Sequence, residues 1–444
     1  MLDIDLLRTN AKVIKESQKK RGLPTDPVDW VISLDEEWRT ILQKVEKLKH
    51  QRNEASESIN KMKKAGKPID AEVKKVKKIA AEIGKLETNA NELKVKRDDV
   101  LSNIPNILAK EVPAGKSEAD NKVIKTAGKI PKIKNPKYHQ DVAKDLIDTE
   151  RAAKVTGARF YYLRGNLVRL GLALQAFAID LLQKKSFIPM LPPYMLNRAA
   201  LSGAVTLAAF EEMIYKIQDE DLYLIGTAEH ALNAYHSNEV LNAEDLPLRY
   251  AGISPCFRKE AGAHGKDTKG IFRIHQFEKI EQFVFCKPEQ AEKEFNLILA
   301  NLEEIYRSLG IPYRLVILCG GETGRVPAKT IDLEAWFPAQ NAYREIASCS
   351  NCTDFQARRS RIKYRLGGEM KHVYTLNNTA VAVQRTIACI LENFQQADGS
   401  VKIPKALWKY TGFKEIRPSK PYKVFTGVYN MTKRTKFASH FDAK

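Results

Sequence analysis

Two arginines, a phenylalanine and a glutamate are spaced so that they can act together on a charged, planar ligand. Cys256-Phe257-Arg258-Lys259-Glu260-Ala261-Gly262 is followed by Phe272-Arg273-Ile274-His275-Gln276-Phe277-Glu278-Lys279-Ile280-Glu281-Gln282-Phe283. The pattern reads as strand, long loop, strand. The intervening stretch, 262–270, is rich in glycine and charge, as suits a loop that carries function. Arg258 and Arg273 then emerge at its two ends, where planar guanidinium groups can grip phosphate oxygens with paired donors. Phe277 can stack on a base. Glu281, two alternations further along the same face, can hold a cation. Taken singly, each arginine fits a solvated hairpin better, with Phe277 in the core, because surface arginine is common. The combination is what favours a site.

Other motifs are weaker. Cys349-Ser350-Asn351-Cys352 is a lone CxxC with no second pair or nearby histidines, so zinc is not expected. Gly320-Gly321-Glu322-Thr323-Gly324 lacks the Gly-Lys-Ser/Thr ending of a P-loop, and no GxGxxG follows a strand.

The elements that must position these residues fall into two kinds. Over the first ~110 residues, apolar side chains recur at steps of three and four. One series runs Val31, Leu34, Trp38, Ile41, Val45, Leu48, Ala55, Ile59, Met62, interrupted by Arg52. A second runs Val76, Ile79, Ile83, Leu86, Ala90, Leu93, Val100, Ile104. Between them Gly66 and Pro68 stop one helix, and Asp70 is placed to cap the next. So short a turn forces antiparallel packing. Each helix then spans roughly 50 Å, so the hairpin should project as an arm. Its outer faces carry Lys63, Lys64, Lys67, Lys74, Lys75, Lys77, Lys78 and Lys85. From the arm alone, a dimerising coiled coil and a basic lever on RNA are equally supported.

Residues 103–136 read as a linker of proline, glycine and lysine. A helix is expected over 168–185, and others over 289–309 and 381–396. Strands are expected at 222–225, 283–285, 313–318 and 331–336. Several strands lie close together without an intervening helix, which favours a mixed, largely antiparallel sheet over repeated βαβ units. The expected fold class is therefore α+β: an antiparallel mixed sheet flanked by helices, plus an N-terminal all-α antiparallel coiled-coil arm. Domains are expected at 1–110 and 111–444.

The 444 residues carry a net charge of +19, which attracts polyanions, although a lysine-rich enzyme surface explains charge alone equally well. No apolar run is long enough to span a bilayer, and Met1-Leu2-Asp3-Ile4-Asp5 has no signal-peptide layout. A cytoplasmic location and no membrane partner follow as expectations. The six cysteines, all in the second half, form no secreted disulfide framework.

Phe-Arg-x-Glu followed by Phe-Arg-x-His-Gln-Phe resembles motif 2 of the class II aminoacyl-tRNA synthetases, in the form seen in the seryl-tRNA synthetases. Leu224-Ile225-Gly226-Thr227-Ala228-Glu229 resembles the amino-acid loop of that family. Asp332-Leu333-Glu334-Ala335-Trp336, Asn341–Ile346 and Ser348–Cys352 resemble its metal-site strand, and Leu376–Ala380 leading to Val383-Gln384-Arg385 resembles motif 3. The helix before Pro192-Pro193 resembles motif 1, the dimer element. The resemblance covers nearly the whole chain and its motifs are highly specific. Only the last ~25 residues, after Pro418, have no assignable role.

The resemblance implies a ligase that activates L-serine with ATP and transfers it to the 3′ end of tRNA(Ser), with tRNA(Sec) as a candidate second substrate. It implies a homodimer, Mg²⁺ as the metal, and the non-zinc form of the family. Arg258, Glu281 and Arg385 are the implied catalytic residues. Serine would meet Thr227, Ala228, Glu229, Glu281, Asn378 and Thr379. ATP would meet Arg258, Lys259, Glu260, Arg273, Phe277, Glu345, Ile346, Ala347, Ser348 and Arg385. Of these, Glu345 and Ser348 would hold the metal. His264, Lys266 and Lys269 would touch tRNA. Ala347 departs from the pattern, standing where the family commonly has a second serine. Two other readings compete: a synthetase relative that charges a carrier protein, which would lack the arm, and a catalytically dead RNA-binding paralogue, which should have lost some of these residues.

Overall fold

Steps of three and four in the apolar pattern build the N-terminal helices of the chain, whose computed structural model describes residues 1–206, 213–260 and 270–418. Helix α1 (Ile4–Lys20) is followed by α2 (Asp26–Lys64) and α3 (Asp70–Asn103). The long pair has 39 and 34 residues, about 58 and 51 Å at 1.5 Å per residue. Ile41, Val45, Ile79, Ile83, Ala90 and Leu93 are buried along their seam, all positions of the two heptad series. Nearer the tip Ile59, Met62 and Val76 are only half-buried. Gly66 turns the chain there with φ +68°. Asp70 does not cap α3: Ile69 holds that position without a side-chain bond, and Asp70 is the first helical residue, where its charge favours the helix dipole.

The base of the arm is locked by charge. Asp35, 1% exposed, accepts from Arg8 Nε and Nη2 (2.8 and 2.9 Å), Arg97 Nη1 (2.8 Å) and Arg39 Nε (3.0 Å). Arg97 also lies over the Trp38 ring at 4.6 Å. Leu7, Val28, Val31, Leu101 and Ile104 pack beside it and share their core with Phe355 of the following region. Buried Arg21 donates to the carbonyls of Asn106, Thr323, Gly324 and Pro327, stitching the two regions together.

The rest is built on an eight-stranded sheet. Its strands are β1 (Lys122–Ala127), β2 (Ile188–Met190), β3 (Leu248–Phe257), β4 (Gln276–Cys286), β5 (Tyr313–Ile317), β6 (Lys329–Phe337), β7 (Ala342–Asn351) and β8 (Tyr374–Ala382). The spatial order is β1-β5-β6-β7-β8-β4-β3-β2. Every pairing is antiparallel except β2 with β3. The expected linker thus supplies the edge strand β1. Its Lys-Val-Ile-Lys-Thr-Ala run is almost wholly exposed, so no buried face marks it in the sequence.

Helices α4 (Asn166–Lys184), α6 (Ala291–Ser308) and α7 (Val383–Asn393) cover one face of the sheet. Their apolar sides meet Ile280, Val284 and Cys286 of β4 and Leu333 and Ala335 of β6. Helix α7 is shorter than the expected 381–396, because β8 continues through Ala382. Alternation sends Phe277, Lys279 and Glu281 to the other face. There α5 (Ala228–Tyr235) packs over Phe283 and Phe285. Gly252 makes that approach possible: a Cβ on it would lie 2.8 Å from both Ala228 Cβ and Leu232 Cδ1.

Candidate active site

Two irregularities in the sheet bring the polar residues to one face. Along β6–β7, Asp332 pairs with Ser348 and Glu334 with Glu345, and the register shifts between them. Ile346 is the extra residue of this bulge. It reverses the alternation, so Glu345 and Ser348, three apart in sequence, share a face. A second bulge in β8 sits between Thr379 and Val381, and Thr379 lies directly opposite Glu281.

At one end of the resulting cavity, of about 210 Å³, two carboxylates face one ammonium. Glu281, 1% exposed, accepts from Thr227 Oγ1 at 3.2 Å and forms an ion pair with Lys279. Lys279 Nζ also lies 3.4 Å from Thr379 Oγ1. Glu229 Oε1 accepts from Gln356 Nε2 (2.7 Å) and Asn377 Nδ2 (3.1 Å). Burial, and then the charge of Glu281, push the Glu229 carboxyl up to about 7. With both carboxylates ionised this corner holds one negative charge more than it has cations. An amino acid's ammonium would balance it.

At the middle of the cavity Arg258 is held by a bond from Nε to the Gly226 carbonyl (3.1 Å) and lies over Phe277 at 5.3 Å. Its backbone is pinned by His275: Arg258 N–H donates to the His275 carbonyl, and His275 Nδ1 lies 2.9 Å from the Arg258 carbonyl. At the far end Arg273 pairs with Glu260 (3.1 Å), and Arg385 pairs with Glu345 (3.1 Å). Arg385 also covers the Phe272 ring at 5.0 Å. The Arg385 guanidinium holds the Glu345 carboxyl below its ordinary range. Burial and the Glu345 charge push Asp332 well above its own. Among the described residues, Arg273 Nε and Asp332 Oδ1 are buried without a partner. One is a spare donor suited to phosphate and the other a spare acceptor suited to a cation. No cluster of three His, Cys, Asp or Glu side chains fit to hold a metal occurs among the described residues. Asp332, Glu345 and Ser348 offer two carboxylates and a hydroxyl, enough for a hard ion that completes its shell with phosphate and water.

Thr227, Glu229, Arg258, Glu260, Arg273, Phe277, Glu281, Glu345, Ile346, Ala347, Ser348, Thr379 and Arg385 all line this cavity. Three expected contacts do not. Ala228, the first residue of α5, is buried against the sheet, and the Lys259 side chain is exposed. Asn378 points to the opposite face, where it accepts from Gln282 Nε2 (2.5 Å) and donates to the Ser348 carbonyl (2.9 Å). Its neighbour Asn377 takes the place in the cavity, as alternation with Thr379 dictates. His264, Lys266 and Lys269 lie outside the described residues. Lys279 was missed although it falls between Phe277 and Glu281 on their face. Phe272 and Gln384, also in the lining, stand inside the motif 2 and motif 3 runs without an expected role of their own. Cys349 and Cys352 are buried thiols, both raised by burial.

Comparison with known proteins gives this geometry a family. The class II tRNA synthetase core domain (G, H, P, S and T) matches residues 213–394, and the seryl-tRNA synthetase N-terminal domain matches residues 1–108. A serine--tRNA ligase of Pyrococcus horikoshii is 48% identical over 94% of this chain and 98% of its own length. The chain belongs to the seryl-tRNA synthetase family. A seryl-tRNA synthetase relative from Nitrosopumilus maritimus is 46% identical, covering 93% of this chain and 99% of its own. The crystal structure of the Pyrococcus horikoshii seryl-tRNA synthetase complexed with ATP matches with a TM-score of 0.91, at 48% identity, over 95% of this chain and 100% of that one. The cytoplasmic serine-tRNA ligase of Naegleria fowleri in complex with AMP matches with a TM-score of 0.85 and 39% identity, over 94% and 99%. This seryl-tRNA synthetase fold therefore includes both the sheet and the arm.

Proposed function

We propose that this chain activates L-serine with ATP and esterifies it to the 3′ end of tRNA(Ser). One observation carries the reading: a cavity that offers an unbalanced pair of carboxylates, Glu281 buried and Glu229 half-buried, at one end and arginines at the other, with Arg258 between them. The serine ammonium fits against Glu229 and Glu281, and its hydroxyl beside Thr379. Its carboxylate and the α-phosphate repel each other. Arg258, fixed by Gly226 and His275, can neutralise both and hold them in line. A carboxylate oxygen then bonds to the α-phosphorus, the bond to the bridging oxygen breaks, and pyrophosphate leaves. Phe277 and Arg385 suit the two faces of adenine, Glu260 its amino group, and Arg273 and Arg385 the triphosphate. Asp332, Glu345 and Ser348 would hold Mg²⁺, which when bound neutralises phosphate charge. In the second step a ribose hydroxyl of the terminal adenosine takes the acyl group and AMP leaves.

Residues 1–110 would serve as the tRNA-binding module and 111–444 as the catalytic one. Exposed Lys63, Lys64, Lys67, Lys74, Lys75 and Lys78 near the arm's tip suit a sugar-phosphate backbone recognised by shape. His264, Lys266 and Lys269 would meet the acceptor end. Val168, Leu172, Ile188, Leu191 and Tyr194 are exposed apolar side chains that a second copy would cover. No helix among the described residues is long and apolar enough to cross a membrane, and the proposed compartment is the cytoplasm.

Pyrophosphate exchange with each amino acid, followed by charging of purified tRNA(Ser) and tRNA(Sec), tests the reading. Serine alone should support exchange, and tRNA(Ser) should be charged. Exchange without charging would favour a carrier protein as acceptor. Exchange with another amino acid and not serine would overturn the proposal.

A further inference from the structure

A buried histidine that the chemistry above does not use sits behind the nucleotide end of the cavity. His139, 2% exposed, follows the lysine-rich connector directly. Its Nδ1 lies 2.9 Å from Glu392 Oε1, and the backbone nitrogen of Ile271 donates to its Nε2 at 3.1 Å. A backbone N–H can only donate, so Nε2 is the unprotonated nitrogen and Nδ1 gives its proton to Glu392. Glu392 is wholly buried and takes further bonds from the backbone N–H groups of His139 (3.3 Å) and Ala339 (3.2 Å). The imidazole also occupies the space beside Gly270. A Cβ there would lie 2.1 Å from His139 Nε2, at a backbone φ of +75°.

The backbone held this way leads straight into the nucleotide end. Phe272 follows Ile271; its ring lies under Arg385, and its carbonyl accepts from Arg385 Nε at 3.3 Å. Arg273, with its unpartnered buried Nε, comes next. Arg385 and Glu392 stand on the same helix, α7, about two turns apart. The pair therefore references residues 270–273 to the element that carries Arg385. Building on the nucleotide reading above, we propose that His139 and Glu392 are positioning residues for ATP. They fix the backbone that presents Phe272 and Arg273 opposite Arg385.

The two nitrogens can be separated by substitution in the full-length chain. His139→Gln places an amide oxygen near Nε2, keeps an acceptor for Ile271 and gives up the bond to Glu392. His139→Asn places an amide nitrogen near Nδ1, keeps the bond to Glu392 and leaves the Ile271 N–H unpaired. In serine-dependent pyrophosphate exchange, His139→Asn should raise the KM for ATP about tenfold, the scale of one unmet buried hydrogen bond, while serine KM stays within about twofold. His139→Gln should raise ATP KM less than His139→Asn at a similar Tm, because the Ile271 N–H keeps its acceptor while the tie to α7 through Glu392 is lost. Gly270→Ala should behave like His139→Asn. Arg273→Ala, assayed alongside, separates the two ideas. A normal ATP KM in that variant sinks the nucleotide reading and the proposal with it. A raised ATP KM there, with His139→Asn unaffected, sinks the proposal alone. Equal rises in both KM values that track the loss of Tm would reduce His139 to a core residue and also overturn it.

Discussion

Replacing Glu229 by Gln should stabilise the unliganded enzyme at pH 8 and weaken its use of serine. The Glu229 carboxyl is pushed up from 4.5 to about 7, first by burial and then by Glu281. In that interval the folded chain holds a proton that the unfolded chain has released. Stability therefore falls as pH rises from about 4.5 to about 7, then levels off. The separation corresponds to roughly 3 kcal/mol at ~1.4 kcal/mol per tenfold. A glutamine carries no charge to bury. Its amide oxygen can replace Oε1, on which Gln356 and Asn377 both converge, so neither hydrogen bond is lost. The variant and the parent should nearly coincide at about pH 4, below the ordinary carboxyl value. By pH 8 the variant should lead by ~1–3 kcal/mol in urea unfolding, the scale set by that separation. Serine KM should rise at least about tenfold, because the remaining Glu281 charge is already matched by Lys279 and no surplus charge is left for the ammonium. A variant less stable than the parent at pH 8, or a difference that ignores pH, would refute the reasoning.

Three further outcomes follow from the same description. Glu281→Ala should abolish serine-dependent pyrophosphate exchange, by about 100-fold or more for a buried charged contact, while circular dichroism shows an intact fold. Removing the arm beyond the Asp35–Arg97 cluster, residues 41–90 with a short linker in their place, should cost about 100-fold or more in tRNA charging yet leave exchange within about twofold, since the excised seam touches no residue of the cavity. Asp35→Ala should destabilise the chain by about 1.5–3 kcal/mol, the scale of a lost charged hydrogen bond, because buried Arg97 then keeps only its pair with Asp98. Burial works to raise the Asp35 carboxyl, but Arg8 and Arg97 outweigh it and hold it below its ordinary 3.8. Its contribution is thus complete at neutral pH and is lost as pH falls through that lower value, so parent and variant should converge in acid.

What could be read from sequence was what obeys a single period. The heptad seam is visible because Ile41, Val45, Ile79 and Ile83 repeat on one stripe over long helices. The face shared by Phe277 and Glu281 is visible because β4 alternates without interruption through these positions. Strand β1 is invisible because an exposed edge has no apolar side to show. The expectation names Asn378 and the cavity holds Asn377, because family likeness points to a segment, whereas only strand parity says which of two adjacent side chains enters the cavity. His139 escaped notice because its partners, Ile271 and Glu392, are distant in sequence and nothing local signals the contact.

The extra residue at Ile346 makes chain length in this hairpin a functional variable. Residues 338–341, which join β6 to β7, can absorb an added amino acid without changing the face that Glu345 and Ser348 share, at the cost of the Ala339 bond to Glu392. Deleting one residue between 345 and 348 is different. It would hand Glu345 to the helix-covered side of the sheet while barely altering composition. Two sequences that differ by one amino acid in those two places would look equally related, yet only one would keep its carboxylate beside Asp332.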